Sequence, residues 1–122
     1  MLRANFNTFD LINQNVMNKK HLAREIKNHL NSHLDDIVTD VVLFGSQMKG
    51  TATVYSDFDI LIILKTEDSR LVRKMINDLC YDFDLKYNIF LDTQIISESE
   101  LNHGLRGKHP VFKKAIMEGF HA

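Results

Sequence analysis

Several things are scarce in this chain, and each scarcity narrows the reading. There is one cysteine, Cys80, so no internal disulfide can form; that is compatible with a reducing compartment. There is one proline, Pro110, and no repeat or low-complexity linker breaks the 122 residues, which favours one compact unit over two. The formal net charge is −1 and no basic tract is present, so the charge footprint of a nucleic-acid binder is lacking. The longest apolar run, Ile60 to Leu64, is far too short to cross a bilayer. The first residues are polar and rich in asparagine, without the apolar stretch of a secretory signal. A cytoplasmic location is expected, with no membrane.

What is present is an ordinary globular composition, 44% hydrophobic and 25% charged. A chain of this size buries one core without staples. Residues 1–16 are the least readable and are expected to be an N-terminal extension, with the domain proper running over 17–122. Leu22, Ala23, Ile26, Leu30 and Leu34 recur at helical spacing, predicting a helix over 19–34. Val41 to Phe44 reads as a buried strand ended by Gly45. Residues 47–56 read as a loop or short helical turn. Residues 57–64 read as a second strand, with Phe58, Ile60, Ile62 and Leu64 on one face and Asp57, Asp59, Leu61 and Ile63 on the other. A broad apolar stripe from Leu71 to Phe83 predicts a helix over 68–87, and residues 87–96 alternate as a third strand. Ser97 and Glu100 form a capping-box pattern for a short helix. Pro110 and Gly119 suit the start and end of a last one. This order predicts an α/β (α+β) domain: a mixed sheet backed by helices, the first two strands neighbours and the third reached by a crossover.

The chemistry concentrates in Leu43-Phe44-Gly45-Ser46, ten residues, then Asp57-Phe58-Asp59. Gly45 lets backbone approach a phosphate closely, and Ser46 offers a hydroxyl and an N–H. Asp57 and Asp59, two apart on a strand, point the same way and repel unless a cation lies near. Magnesium with phosphate oxygens is the natural partner. A lone Gly-Ser is a common turn and a lone Asp-x-Asp common surface charge, but Asp59 interrupts an otherwise buried run, where an unpaired carboxylate is costly.

Other residues read as structural. His29 and His33 have metal-ligand spacing on a helix but no third ligand follows, so a solvated face is expected. His103 and His109 read as surface histidines of a loop. Cys80 lies on the apolar stripe as a small core residue. Tyr55 could stack on a base or simply pack.

The segment resembles the signature of the DNA polymerase β-like nucleotidyltransferase superfamily, and most of all its small minimal nucleotidyltransferases, which carry Gly-Ser, ten residues, then Asp-x-Asp. Gly50-Thr51 and Ser56 match as well, as do Ile95 to Glu100 and the closing segment from Pro110 to Gly119; the likeness runs from about Met17 onwards. The resemblance implies a nucleotidyltransferase fold and transfer of a nucleoside monophosphate, AMP from ATP, to an acceptor hydroxyl. It implies that Asp57, Asp59 and a later carboxylate hold two Mg2+ ions, and that Gly45, Ser46 and Lys49 bind the nucleotide. The later carboxylate is placed at Asp92, with Asp82 and Asp84 as alternatives. Such proteins resemble antitoxins of a HEPN-domain toxin, whose tyrosine would be the acceptor. So short a chain is expected to build its acceptor site with that partner or in a homodimer. One departure stands out: the family often has arginine where Gln47 stands, which leaves a catalytically weak or inactive nucleotide-binding, toxin-neutralising module as the alternative.

Overall fold

The structure is a computed structural model that describes residues 19–50 and 57–122. The N-terminal extension, and Thr51, Tyr55 and Ser56 of the turn, lie outside the described residues. In chain order the elements are α1 (Lys19–His33), β1 (Val38–Phe44), α2 (Ser46–Lys49), β2 (Phe58–Leu64), α3 (Arg70–Tyr87), β3 (Leu91–Ser97), α4 (Glu98–His103), a 3-10 turn (Arg106–Lys108), α5 (Pro110–Glu118) and β4 (Phe120–His121).

The strands form one mixed sheet in the order β3-β2-β1-β4. β1 and β2 are antiparallel, joined through the signature turn. β2 and β3 are parallel, a pairing that needs a crossover connection, and the 18-residue helix α3 supplies it. β2 is interior and covered on both faces, which is why its sequence reads as a nearly unbroken apolar run.

The alternation expected for β2 holds. Phe58, Ile60, Ile62 and Leu64 join Leu22, Ile26 and Leu30 of α1 and Ile76, Cys80 and Phe83 of α3 in the larger core. Leu61 and Ile63 join Val42, Ile96 and the α5 residues Phe112 and Ala115 in a smaller core on the opposite face. Asp59 belongs to this second face by alternation.

The helix ends follow their sequence signals with one difference. Ser69 caps α3 by accepting from Val72 N, and Asn88 closes it in a left-handed conformation. Ser97 caps α4, accepting from Glu100 N at 3.1 Å. The Glu100 carboxylate, which a full capping box would return to Ser97, instead accepts from Arg106 N at 3.2 Å. It thereby ties α4 to the turn that follows.

Strand β4 escaped the sequence reading because two residues show no period. It pairs antiparallel with β1 through Val42 and Leu43. Lys20 and Arg24 of α1 lie over the Phe120 ring, at 5.2 and 5.1 Å from its centre. The opposite edge, β3, is guarded: the Ile95 carbonyl accepts from Arg73 at 3.2 Å and Arg106 at 2.9 Å, and Asp68 pairs with both guanidinium groups.

Candidate active site

The site lies where β1 ends and β2 and β3 begin. Gly45 leaves β1 with φ 78° and ψ −152°, a combination that favours glycine. A Cβ at Gly45 would stand 2.3 Å from Asp59 Oδ2, so a side chain there would displace that carboxylate. The close approach read from the sequence as room for a phosphate is therefore, first, room for Asp59. The Gly45 carbonyl accepts from Met48 N and Lys49 N at 3.0 and 3.1 Å, and Gly50, at φ 75°, ends the short helix α2.

Gln47, which replaces a possible arginine, is buried. Its side-chain amide donates to the Asp57 carbonyl at 3.4 Å, and its own carbonyl accepts from Lys19 Nζ at 2.8 Å. Burial holds the Lys19 ammonium below its ordinary pKa. Gln47 thus braces the turn to the start of β2. A charged guanidinium in that buried place would need its own acceptors.

The register sets Asp59 beside Asp92 across the parallel strands, with Phe44 on its other flank. Asp59 is half-buried, whereas Asp57 and Asp92 are exposed. Burial first, then the charge and hydrogen bond of Asp92, then the charge of Asp57, raise the Asp59 carboxyl above the ordinary range. Of the three candidates for the later carboxylate, only Asp92 stands at this place. Asp82 pairs with His29 at 3.1 Å on the α1–α3 side, and Asp84 accepts from Leu91 N at 3.0 Å.

Three carboxylates that raise one another's energy as bare anions are a donor set suited to a hard divalent cation. Among the described residues no three His, Cys, Asp or Glu side chains already close into a cage. Magnesium does not require one: it keeps water, and one or two carboxylates plus substrate phosphates complete its shell. The donor set therefore fits.

Lys49 stands at the end of α2, 3.8 Å from Glu118 of α5. Phe90, an exposed aromatic two residues before Asp92, is a neighbour the sequence reading passed over; its signal was a large apolar side chain at the mouth of a strand. The remaining candidates fall outside the site. His29 and His33 touch edge to face, His29 also against Phe83. His109 caps α5 by accepting from Val111 N. Cys80 is buried, its thiol pushed up to about 12 by burial and by Asp84, which leaves it inert at neutral pH.

No helix among the described residues is long and apolar enough to cross a membrane. The family model for the nucleotidyltransferase domain matches residues 23–117. Over 86 residues the chain is 31% identical to a candidate protein adenylyltransferase of Methanocaldococcus jannaschii, covering 70% of this chain and 81% of that one. To a second such protein of the same organism it is 33% identical over 70 residues, 56% of this chain; the match spans 47% of that relative, about half its length. Among solved structures, a toxin–antitoxin with AMP-PNP superposes with a TM-score of 0.55 at 18% identity, covering 80% of this chain and 69% of that one. A toxin–antitoxin MntA-HpeT mutant, with two aspartates spaced two apart changed to glutamate, gives 0.52 at 17%, covering 75% and 65%. At such identities these two speak for the fold. With 95 consecutive residues matched, from the first helix to the closing one, this chain belongs to the nucleotidyltransferase domain family.

Proposed function

We propose that this chain transfers AMP from ATP to a hydroxyl group of a partner protein, releasing pyrophosphate, and that it does so as the antitoxin of a HEPN-type toxin whose tyrosine is the acceptor. The observation that carries the reading is the cluster at the β2–β3 junction: Asp59 wedged between the Cβ-less Gly45 and Asp92, with Asp57 beside it. The names of the M. jannaschii relatives support protein adenylylation, and the solved toxin–antitoxin structures support a protein partner. One of those structures is altered at two aspartates spaced as Asp57 and Asp59 are.

Asp57, Asp59 and Asp92 are the residues that would hold two magnesium ions, which supply neutralisation of charge on the phosphate oxygens. Gly45 and Ser46 present backbone N–H groups and a hydroxyl to the phosphates, and Lys49 adds a positive charge beside them. The acceptor oxygen attacks the α-phosphorus in line. The bond to the bridging oxygen breaks, and pyrophosphate leaves with the electron pair. Asp92, exposed at the outer strand, lies on the acceptor side and receives the hydroxyl proton. Positioning of the two reactants carries much of such a rate, worth roughly 7–11 kcal/mol when complete.

Burial of Gln47 as a brace favours this reading over an inactive binding module, because its amide has a structural task of its own. The test is incubation with α-labelled ATP, magnesium and the product of the adjacent reading frame. Label on that protein, lost in Asp57→Asn, is the expected result. Rapid labelling of RNA or a small molecule by the isolated chain would overturn it.

A further inference from the structure

Beside the Gly45 turn a cleft of about 150 Å³ opens between α2 and α5, and Asp59 is not part of its lining. Its walls are apolar: Phe44 and Met48 on one side, Val111 on the other. Two lysines reach it from different elements, Lys49 from α2 and Lys114 from α5. Val111, Lys114 and Glu118 are spaced i, i+3 and i+7, so they share one face of α5, while Phe112 and Ala115 turn into the sheet.

The charges do not balance. Lys49 pairs with Glu118 at 3.8 Å, both half-exposed, and Lys114 has no ion pair among the described residues. The cleft carries two ammonium groups and one carboxylate, beside apolar walls that strengthen any charge interaction inside it. Its order in space matters as much. Gly45 lines the cleft, and its missing Cβ points at Asp59. Carboxylates, a side-chain-free turn and a pair of lysines therefore follow one another along the surface. A ligand laid over that turn meets carboxylates at one end and ammonium groups at the other.

We propose that this cleft takes the terminal phosphates of the triphosphate, that Lys114 of the closing helix is a second cation for them, and that Glu118 occupies Lys49 in the free protein until phosphate displaces it. This rests on the nucleotidyl-transfer reading and deepens it. It sets the direction of the substrate: α-phosphate at the Asp59–Asp92 side, γ-phosphate between Lys49 and Lys114. Glu118 then acts as a built-in competitor that terminal phosphates must displace from Lys49, whereas a monophosphate, too short to reach Lys49, gains nothing from that cation.

Calorimetric binding of inorganic tripolyphosphate, ATP and AMP to the full chain, in magnesium buffer at low ionic strength, tests it. Lys114→Ala is expected to weaken tripolyphosphate and ATP about three- to tenfold, the range for one partly exposed charge-assisted bond, and to leave AMP unchanged. Glu118→Gln is expected to tighten tripolyphosphate about two- to threefold by freeing Lys49. Lys114 is exposed, so Lys114→Ala should keep the wild-type melting temperature. Unchanged ATP and tripolyphosphate affinity in Lys114→Ala, or equal losses for AMP and ATP, would overturn the assignment, as would weaker binding in Glu118→Gln. The two readings fail separately. Tripolyphosphate binding that depends on Lys114 in a protein that transfers nothing would sink the transfer reading and leave the cleft. Transfer with an unaltered KM for ATP in Lys114→Ala would do the reverse.

Discussion

Gly45→Ala is the sharpest perturbation, because two physical terms meet at one atom. The residue stands at φ 78° and ψ −152°, where an L side chain is strained by about 1–3 kcal/mol. The added Cβ also lies 2.3 Å from Asp59 Oδ2 and 3.2 Å from its Cγ. Because the carboxylate ends a short side chain that can swing, this crowding is estimated at the low end of overpacking costs, about 1 kcal/mol. Loss of glycine freedom in the unfolded chain returns about 0.4–1 kcal/mol. The net cost is about 1–3.5 kcal/mol, or a melting temperature lower by roughly 4–14 °C for a domain this size. The decisive assay is a double-mutant cycle by thermal or urea denaturation. With Asp59→Ala the clashing atoms are gone, so Gly45→Ala should cost about 1 kcal/mol less in that background. The single variant, its carboxylate displaced, should also lose the extra thermal stabilisation that magnesium and ATP give together. Equal costs in both backgrounds, with the ligand response intact, would refute the claim that Asp59 is what requires glycine here.

Three further outcomes follow from the same geometry. Magnesium with ATP should raise the melting temperature, and Asp57→Asn with Asp59→Asn should abolish that rise; an unchanged response in the double variant would move the site elsewhere. Asp92→Asn should remove transfer while ATP still binds, and should lower the pH at which Asp59 titrates in a carbonyl-resolved NMR titration; no movement of Asp59 would break the cross-strand pairing. At the other sheet edge, the His121 pKa is raised by Ile116 O, which its ring meets at 2.8 Å, and by Asp40, at 2.6 Å. A raised histidine stabilises most fully below its ordinary value of 6.5 and loses that contribution as pH climbs through the raised one. Wild-type stability should therefore fall over that window, and Asp40→Asn should flatten the slope.

The sequence by itself determined the parts governed by short periods. Helical spacing marked α1 and α3, and alternation sorted the faces of β2 correctly down to Leu61 and Ile63. Local signals named Ser97, Pro110 and Gly119 as boundaries, because a cap or break is decided within four residues of chain. The Gly-Ser and Asp-x-Asp elements were visible for the same reason: their spacing is local. Tertiary structure alone decided how distant pieces meet. That Asp92 rather than Asp82 or Asp84 lies beside Asp59 is a matter of strand register across a helical crossover, and no period in the sequence encodes it. That Gly45 is packed against Asp59, that Gln47 braces Asp57, that Arg73 and Arg106 close the β3 edge and that β4 exists at all are likewise long-range contacts. Each depends on where the whole chain has folded, since side-chain direction repeats every two or 3.6 residues but the partner across space is chosen by packing.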